Sequence, residues 1–87
     1  MPLTFDEFKN EIIGLLDHHI LLSMHAMVFE FVLYDVIQNP EETFLELISE
    51  ESTSVVFERD KISAITKDDD IYSITQGSLK VFITATN

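Results

Sequence analysis

The chain contains no cysteine, and it has only two glycines and two prolines. The absence of cysteine excludes disulfide scaffolds, thiolate metal sites, thiol nucleophiles and thiol-based redox switches. Neither Gly14 nor Gly77 belongs to a glycine-rich phosphate-binding loop. Arg59 is the single arginine, so an anion-binding site built from several arginines is excluded. The sequence also contains no known motif that combines a nucleophile with a base. We therefore expect a protein that is not an enzyme and that carries no cofactor.

Positive charge is also scarce. Sixteen Asp and Glu residues face five Lys and Arg residues, so the net charge is -11. A field of this sign repels nucleic acid and anionic membranes, and it speeds association with a basic protein surface. Acidity also keeps small proteins soluble without any such partner, so both interpretations stay open. We expect a basic protein partner, and no direct binding to nucleic acid or to a membrane.

Targeting signals are missing as well. The first residues, Met-Pro-Leu-Thr, lack the basic region and apolar core of a signal peptide, which predicts a cytoplasmic protein. The apolar run at residues 20–37 is near the lower length limit for a membrane-spanning helix, but it contains Glu30 and Asp35. Because carboxylates are costly at membrane depth, we expect a buried core element here. The length of 87 residues and the 46% apolar content predict one globular domain over residues 1–87.

Residues 4–17 have the pattern of an N-terminal amphipathic helix. Thr4 and Glu7 form a capping-box pair at its start. Apolar residues then recur at spacings of three and four, which places them on one face: Phe5, Phe8, Ile12, Leu15 and Leu16. We expect this face to pack on a sheet.

Residues 27–37 are mostly β-branched or aromatic, which predicts a strand. A helix through this region would be apolar almost all round, and a chain of this length can hardly bury such a helix. Asp35 interrupts the apolar alternation and indicates a bulge or the end of strand pairing. Residues 20–26 remain undecided between helix and strand.

A turn at residues 38–42 follows, because Pro40 removes a backbone donor and restricts the residue before it. Residues 40–49 fit a short helix about as well as a strand, and we favour a strand that forms a hairpin with residues 27–37.

Four further apolar runs, at residues 54–58, 62–66, 71–74 and 79–84, are separated by short turn-like linkers. In the second run we expect Ile62 and Ala64 to face one way, and Ser63 and Ile65 the other. The predicted fold is α+β, with the helix packed on an antiparallel meander of five to six strands. The meander itself occupies residues 43–85.

Two groups resemble metal ligands. His18 and His25 would share one face of a continuous helix, with His19 nearby, but their spacing matches no known metal motif. The three aspartates at residues 68–70 resemble part of a calcium loop that lacks the central glycine and the distal glutamate. We expect no metal site at either place.

The carboxylates concentrate around the predicted turns, where a rigid sheet would present them at intervals that imitate the spacing of phosphates. The residues expected to contact a basic partner are Glu41, Glu42, Glu46, Glu50, Glu51, Glu58, Asp60, Asp68, Asp69 and Asp70. Apolar residues expected on the outer face of the sheet form a candidate oligomer face of Tyr72, Ile74 and Phe82.

The predicted function is a small acidic, non-enzymatic protein–protein interaction module. Its size and charge are typical of immunity-type or phage-encoded inhibitors that antagonise a basic, nucleic-acid-handling protein. The alternative is a homo-oligomeric structural or assembly subunit with a small β-rich fold. A metal-dependent enzyme that uses the histidines is a third hypothesis.

Overall fold

A computed structural model describes residues 1–86. Its helix, α1, spans Phe5–Ile13, and both hydrogen bonds of the predicted capping box are present. The Glu7 amide donates to the Thr4 hydroxyl, and the Thr4 amide donates to the Glu7 carboxylate. The helix ends before the predicted boundary at residue 17, because the amides of Leu15 and Leu16 donate to carbonyls three residues back and so form tighter turns.

Within the described residues 1–86, seven strands follow the helix, rather than the predicted five to six. They are β1 (His19–Met24), β2 (Met27–Gln38), β3 (Phe44–Ser49), β4 (Ser54–Glu58), β5 (Ile62–Asp68), β6 (Ile71–Gln76) and β7 (Leu79–Ala85). The undecided residues 20–24 belong to strand β1. The hairpin of β2 and β3 is confirmed, and the helical alternative for residues 40–49 is wrong.

The strands form an antiparallel sheet in the order β4-β3-β2-β1-β7-β6-β5, so the α+β class is confirmed. Strands β1 to β4 make one meander, β5 to β7 make another, and the pairing of β7 with β1 joins them. The prediction of one continuous meander is wrong at its centre, because β4 and β5 lie at opposite ends of this order. A single 3₁₀ turn, Arg59–Lys61, connects them without closing a hairpin.

Strand β2 belongs to two parts of the sheet. Residues 27–32 pair with β1, whereas the half that begins at Leu33 pairs with β3. A register shift between Leu33 and Asp35 lies at the start of the half that pairs with β3, which confirms the predicted interruption at Asp35. Because a bulge bends its strand, β2 changes direction at this shift.

The curved sheet encloses a core to which α1 contributes three buried side chains, those of Phe5, Phe8 and Ile12. Phe8 packs edge-on against Phe57 of β4 and Tyr72 of β6, with ring centroids 5.7 and 6.1 Å away. The residues before α1 continue along the outer edge of β5, where the Leu3 amide donates to the Ile65 carbonyl. The helix therefore covers one side of the sheet, and the chain before it pairs with the outer edge of β5.

The predicted alternation in β5 is wrong. Its pairing with β6 shifts register between Ile62 and Ala64. As a result, Ile62 and Ile65 both pack against the core, while Ala64 is exposed. A shift of one residue reverses the face that each later side chain occupies, and a local pattern cannot locate such a shift.

The apolar run at residues 20–37 is divided between β1 and β2, with His25 and Ala26 in the turn that joins them. Within residues 1–86, no helix has the length and apolarity needed to cross a bilayer.

Candidate functional site

The carboxylates predicted to bind a partner do not form one continuous surface. The first region comprises the β2–β3 turn with Glu41 and Glu42, and the neighbouring 3₁₀ turn with Glu58 and Asp60. The second is the β3–β4 turn with Glu50 and Glu51, and the third is the β5–β6 turn with Asp68, Asp69 and Asp70. Glu46 lies apart from these turns, on strand β3. The strand order therefore distributes the predicted site over three separate regions and one strand.

The region around the 3₁₀ turn also holds cations. Arg59 lies 3.0 Å from the Asp6 carboxylate, donates through Nε to the Glu42 carbonyl at 2.8 Å, and stacks over Phe5. Lys61 pairs with Glu58 at 3.0 Å. Exposed pairs of this kind contribute little to stability, but they reduce the negative charge at this end of the molecule.

In the part of the chain that the structure describes, most of the Asp and Glu side chains form no ion pair. Within residues 1–86, ion pairs engage Asp6, Glu11, Glu58 and Asp68, the last with the N-terminal amine at 3.7 Å. These are four of the sixteen carboxylates in the chain. The negative field predicted from composition is therefore largely uncompensated by local pairing.

The β3–β4 turn borders a groove of about 420 Å³ that separates it from the β1–β2 hairpin. The apolar residues that line this groove are Met24, Met27, Val28, Phe29, Phe31 and Val55. Glu30 and Glu51 line it as well, together with small hydroxyl residues. We call this feature the acidic groove. Its apolar lining and its two carboxylates suit a ligand that is both apolar and basic.

The acidic groove exists because the core ends partway along the β1–β2 hairpin. Phe31 and Phe29 lie on the same inner face as Ile20 and Leu22, the buried residues of β1 that they oppose, and Met27 opposes the half-buried Met24 on that face. Their exposure rises toward the hairpin tip, from half-buried Phe31 to 38% for Phe29 and 55% for Met27. The inner face of the sheet is therefore open to solvent at this end.

A charged triad joins α1 to the sheet. The Glu11 carboxylate accepts hydrogen bonds from Lys67 Nζ at 2.8 Å and from the Tyr72 hydroxyl at 2.5 Å. These two bonds lower the pKa of Glu11, and the bond from Lys67 has the larger effect. The hydrogen bond to Glu11 raises the pKa of Lys67, and burial raises the pKa of Tyr72. Because each group is paired with another of the three, we assign the triad to the attachment of the helix.

The shared face predicted for His18 and His25 does not form, because the residues between them are a strand. The two histidines flank β1, which separates them by about 20 Å. His18 lies 3.0 Å from the Leu16 carbonyl, and His25 occupies the hairpin turn with a φ of 52°. In the part of the chain that the structure describes, no three His, Asp or Glu side chains are grouped as metal ligands.

The three residues of the candidate oligomer face do not share a face, so this prediction is wrong. Tyr72 and Ile74 point into the core and are buried, whereas Phe82 is 40% exposed. Phe82 lies on the outer face opposite Ser73, the residue between the two buried side chains. When a strand carries apolar residues on both faces, its sequence pattern does not indicate which face is buried.

The acidic groove contains residues that were not predicted from the sequence as binding residues, namely Met27, Phe29 and Glu30. The one available signal was an apolar strand that carries a carboxylate at position 30. Comparison with protein-family models, with curated proteins and with solved structures yields no match.

Proposed function

We propose that this protein is a small acidic, non-enzymatic interaction module that binds a basic protein at the acidic groove. The observation that carries the proposal is the solvent-exposed apolar lining beside Glu30 and Glu51, in a molecule with a net charge of -11. Apolar contacts in the groove would supply affinity, whereas the surrounding field would steer the partner and raise the association rate.

An inhibitor or antagonist is the role that fits these features best. Proteins that handle nucleic acid carry basic surfaces, and an acidic module that occupies such a surface excludes the phosphate backbone from it. The dispersed turns at Glu41, Glu42 and residues 68–70 would extend the negative field beyond the groove. They would thereby assist the approach of a large basic partner without contacting it closely.

The test is affinity capture from the native host's lysate at low and high salt, with the eluate identified by mass. We expect a basic protein that is released at about 1 M salt, where the screening length is about 3 Å. Capture should be lost with the double variant Glu30→Gln/Glu51→Gln. The matched control, Asp69→Asn/Asp70→Asn, removes the same charge at a turn away from the groove and should retain the partner. A complex that ignores salt, or that responds equally to both variants, would contradict the proposal.

A homo-oligomeric assembly subunit is the second candidate. It is supported by exposed apolar residues on the outer face, where Val28 is 62% exposed and Phe82 is 40% exposed. Ser23 lies between them and is the cross-strand partner of both. This function predicts a multimer in sedimentation that Phe82→Asp converts to monomers.

A further inference from the structure

We infer that the basic partner binds as an added antiparallel β-strand along residues 27–32 of β2, through a segment in which basic and apolar residues alternate. This inference rests on the proposed function and specifies the shape and chemistry of the segment that the acidic groove accepts.

The hydrogen bonds of β2 show which backbone groups face the groove side. The Val32 carbonyl accepts from the Glu50 amide at 3.2 Å, on the edge away from β1. Groups that face one edge of an antiparallel strand belong to every second residue, so Val28 and Glu30 direct their N–H and C=O groups to the same edge. Within residues 1–86, no backbone group pairs with Val28 or Glu30 on that edge. These four groups are free to receive a further strand.

The bond between Glu50 and Val32 also provides a template for the direction that we infer for such a strand. Glu50 follows directly after β3, which runs antiparallel to the second half of β2. A segment that continues this ladder beyond Glu50 therefore lies antiparallel to residues 27–32. In this geometry, partner residues opposite Val28 and Glu30 place their side chains on the outer face with them.

The side chains on the two faces define the alternation. The partner residue opposite Glu30 lies beside a carboxylate, and an opposite charge is favourable at that position, so Lys or Arg fits it. The intervening partner residues point to the inner face, where they meet the exposed ring of Phe29 and the apolar lining of the groove. Extended segments bind open sheet edges in this way, with backbone bonds for affinity and alternate side chains for specificity.

A second copy of this chain is a poorer occupant of the same edge. It would bring together two molecules that each carry a net charge of -11. Antiparallel pairing of two β2 edges would also place two Glu30 carboxylates, one from each copy, in the same strand pair. A charge on an open edge is a common protection against such self-pairing. Charge complementarity therefore favours a basic segment.

The test uses two synthetic peptides with the repeating sequence Lys-Val-Lys-Val-Lys-Val-Lys and blocked termini. One carries N-methyl groups on two lysines, and the other carries them on two valines, so mass and charge are identical. In the inferred geometry the lysine amides face β2 and the valine amides face away. We expect the lysine-methylated peptide to bind at least about tenfold more weakly in calorimetry, because it loses backbone hydrogen bonds. The valine-methylated peptide should shift the amide resonances of Val28 and Glu30.

A protein variant gives an independent check. Val28→Pro removes one N–H that faces the groove and leaves the bonds to β1 in place, which an edge strand tolerates. It should weaken the valine-methylated peptide by a similar factor. Val56→Pro is the matched control. The Glu58 amide faces away from β3 and donates to Gln76. Val56 lies on β4 two residues before Glu58, so its amide also faces away from β3. This control should bind the peptide normally.

Each other outcome overturns the inference in a recognisable way. Equal binding of the two peptides would show contact through side chains alone, and a reversed preference would show either parallel addition or a register with valine opposite Glu30. A dimer that Val28→Pro dissociates would identify a second copy as the occupant. If neither peptide binds while the lysate partner still depends on Glu30 and Glu51, strand addition is wrong and the proposed function stands. If that dependence is absent too, the proposed function fails as well.

Discussion

Leu22 and Phe29 are cross-strand partners on the inner face of the β1–β2 hairpin, yet Leu22 is fully buried and Phe29 is 38% exposed. The boundary between the hydrophobic core and the acidic groove passes between these two side chains. Core residues hold the fold together, whereas a partly exposed aromatic ring at the end of the core is available to a ligand. The two positions should therefore respond differently to the same substitution.

Leu22→Ala should lower the free energy of unfolding by about 2–5 kcal/mol, because it leaves a cavity in the core. Phe29→Ala should cost less than about 2 kcal/mol, since part of the ring is already in water. Urea denaturation of both variants provides the comparison. Equal losses would show that Phe29 belongs to the core and would remove the structural basis of the groove.

The triad of Glu11, Lys67 and Tyr72 predicts an acid-sensitive stability. The folded protein lowers the pKa of Glu11 below its ordinary value of 4.5, so the ionised carboxylate stabilises the fold. This contribution is complete above the ordinary pKa and is lost as the pH falls through the lower pKa of the folded state. Thermal unfolding between neutral pH and the acid range should show this loss, and Glu11→Gln should remove part of it. Asp69→Asn makes the same change of charge and is the control, and it should lose thermal stability at acid pH as the native protein does. Identical curves of stability against pH for the two variants would contradict the assignment.

Asn39 should be the main determinant of the β2–β3 turn. Its Oδ1 accepts from the amides of Thr43 and Phe44 at 2.8 and 3.1 Å, and its Nδ2 donates to the Thr43 hydroxyl at 2.7 Å. Asn39→Ala should lower the free energy of unfolding by about 1–3 kcal/mol, because backbone amides lose their acceptor. Pro40→Ala alters the exposed neighbour and should cost less in the same urea titration. The turn assignment fails if the proline variant is the more damaging one.

Phe82→Asp should leave the oligomeric state unchanged if the acidic groove is the binding surface. The substitution adds a charge to an exposed position on the outer face, away from the groove lining. Sedimentation velocity of the native protein and the variant measures the effect. Dissociation of a native multimer by this substitution would favour the assembly-subunit function instead.

The sequence predicted the features that depend on neighbouring residues. The capping box of Thr4 and Glu7 is a local pattern, as is the β-branched composition of β2, and both are confirmed. The interruption at Asp35 was visible because a carboxylate broke an apolar alternation, and the register shift lies there.

Features that depend on distant pairing were not predictable in the same way. The separation of β4 from β5 arises from the pairing of β7 with β1, residues far apart in the chain. The burial of Tyr72 depends on α1, which supplies Glu11 and Phe8 to cover it. The acidic groove also depends on distant pairing, because β3 pairs with the second half of β2 and leaves residues 27–32 with an open edge.

The most direct test of the central claim is site-specific photo-crosslinking in the native host's lysate. A photoreactive phenylalanine analogue replaces Phe29 in one version of the protein and Phe82 in another, so both probes occupy partly exposed aromatic positions. We predict that the probe at position 29 crosslinks to a basic protein, and that the probe at position 82 does not. Crosslinks to that protein from position 82 alone, or only to further copies of this chain, would contradict the assignment of the acidic groove as the binding site.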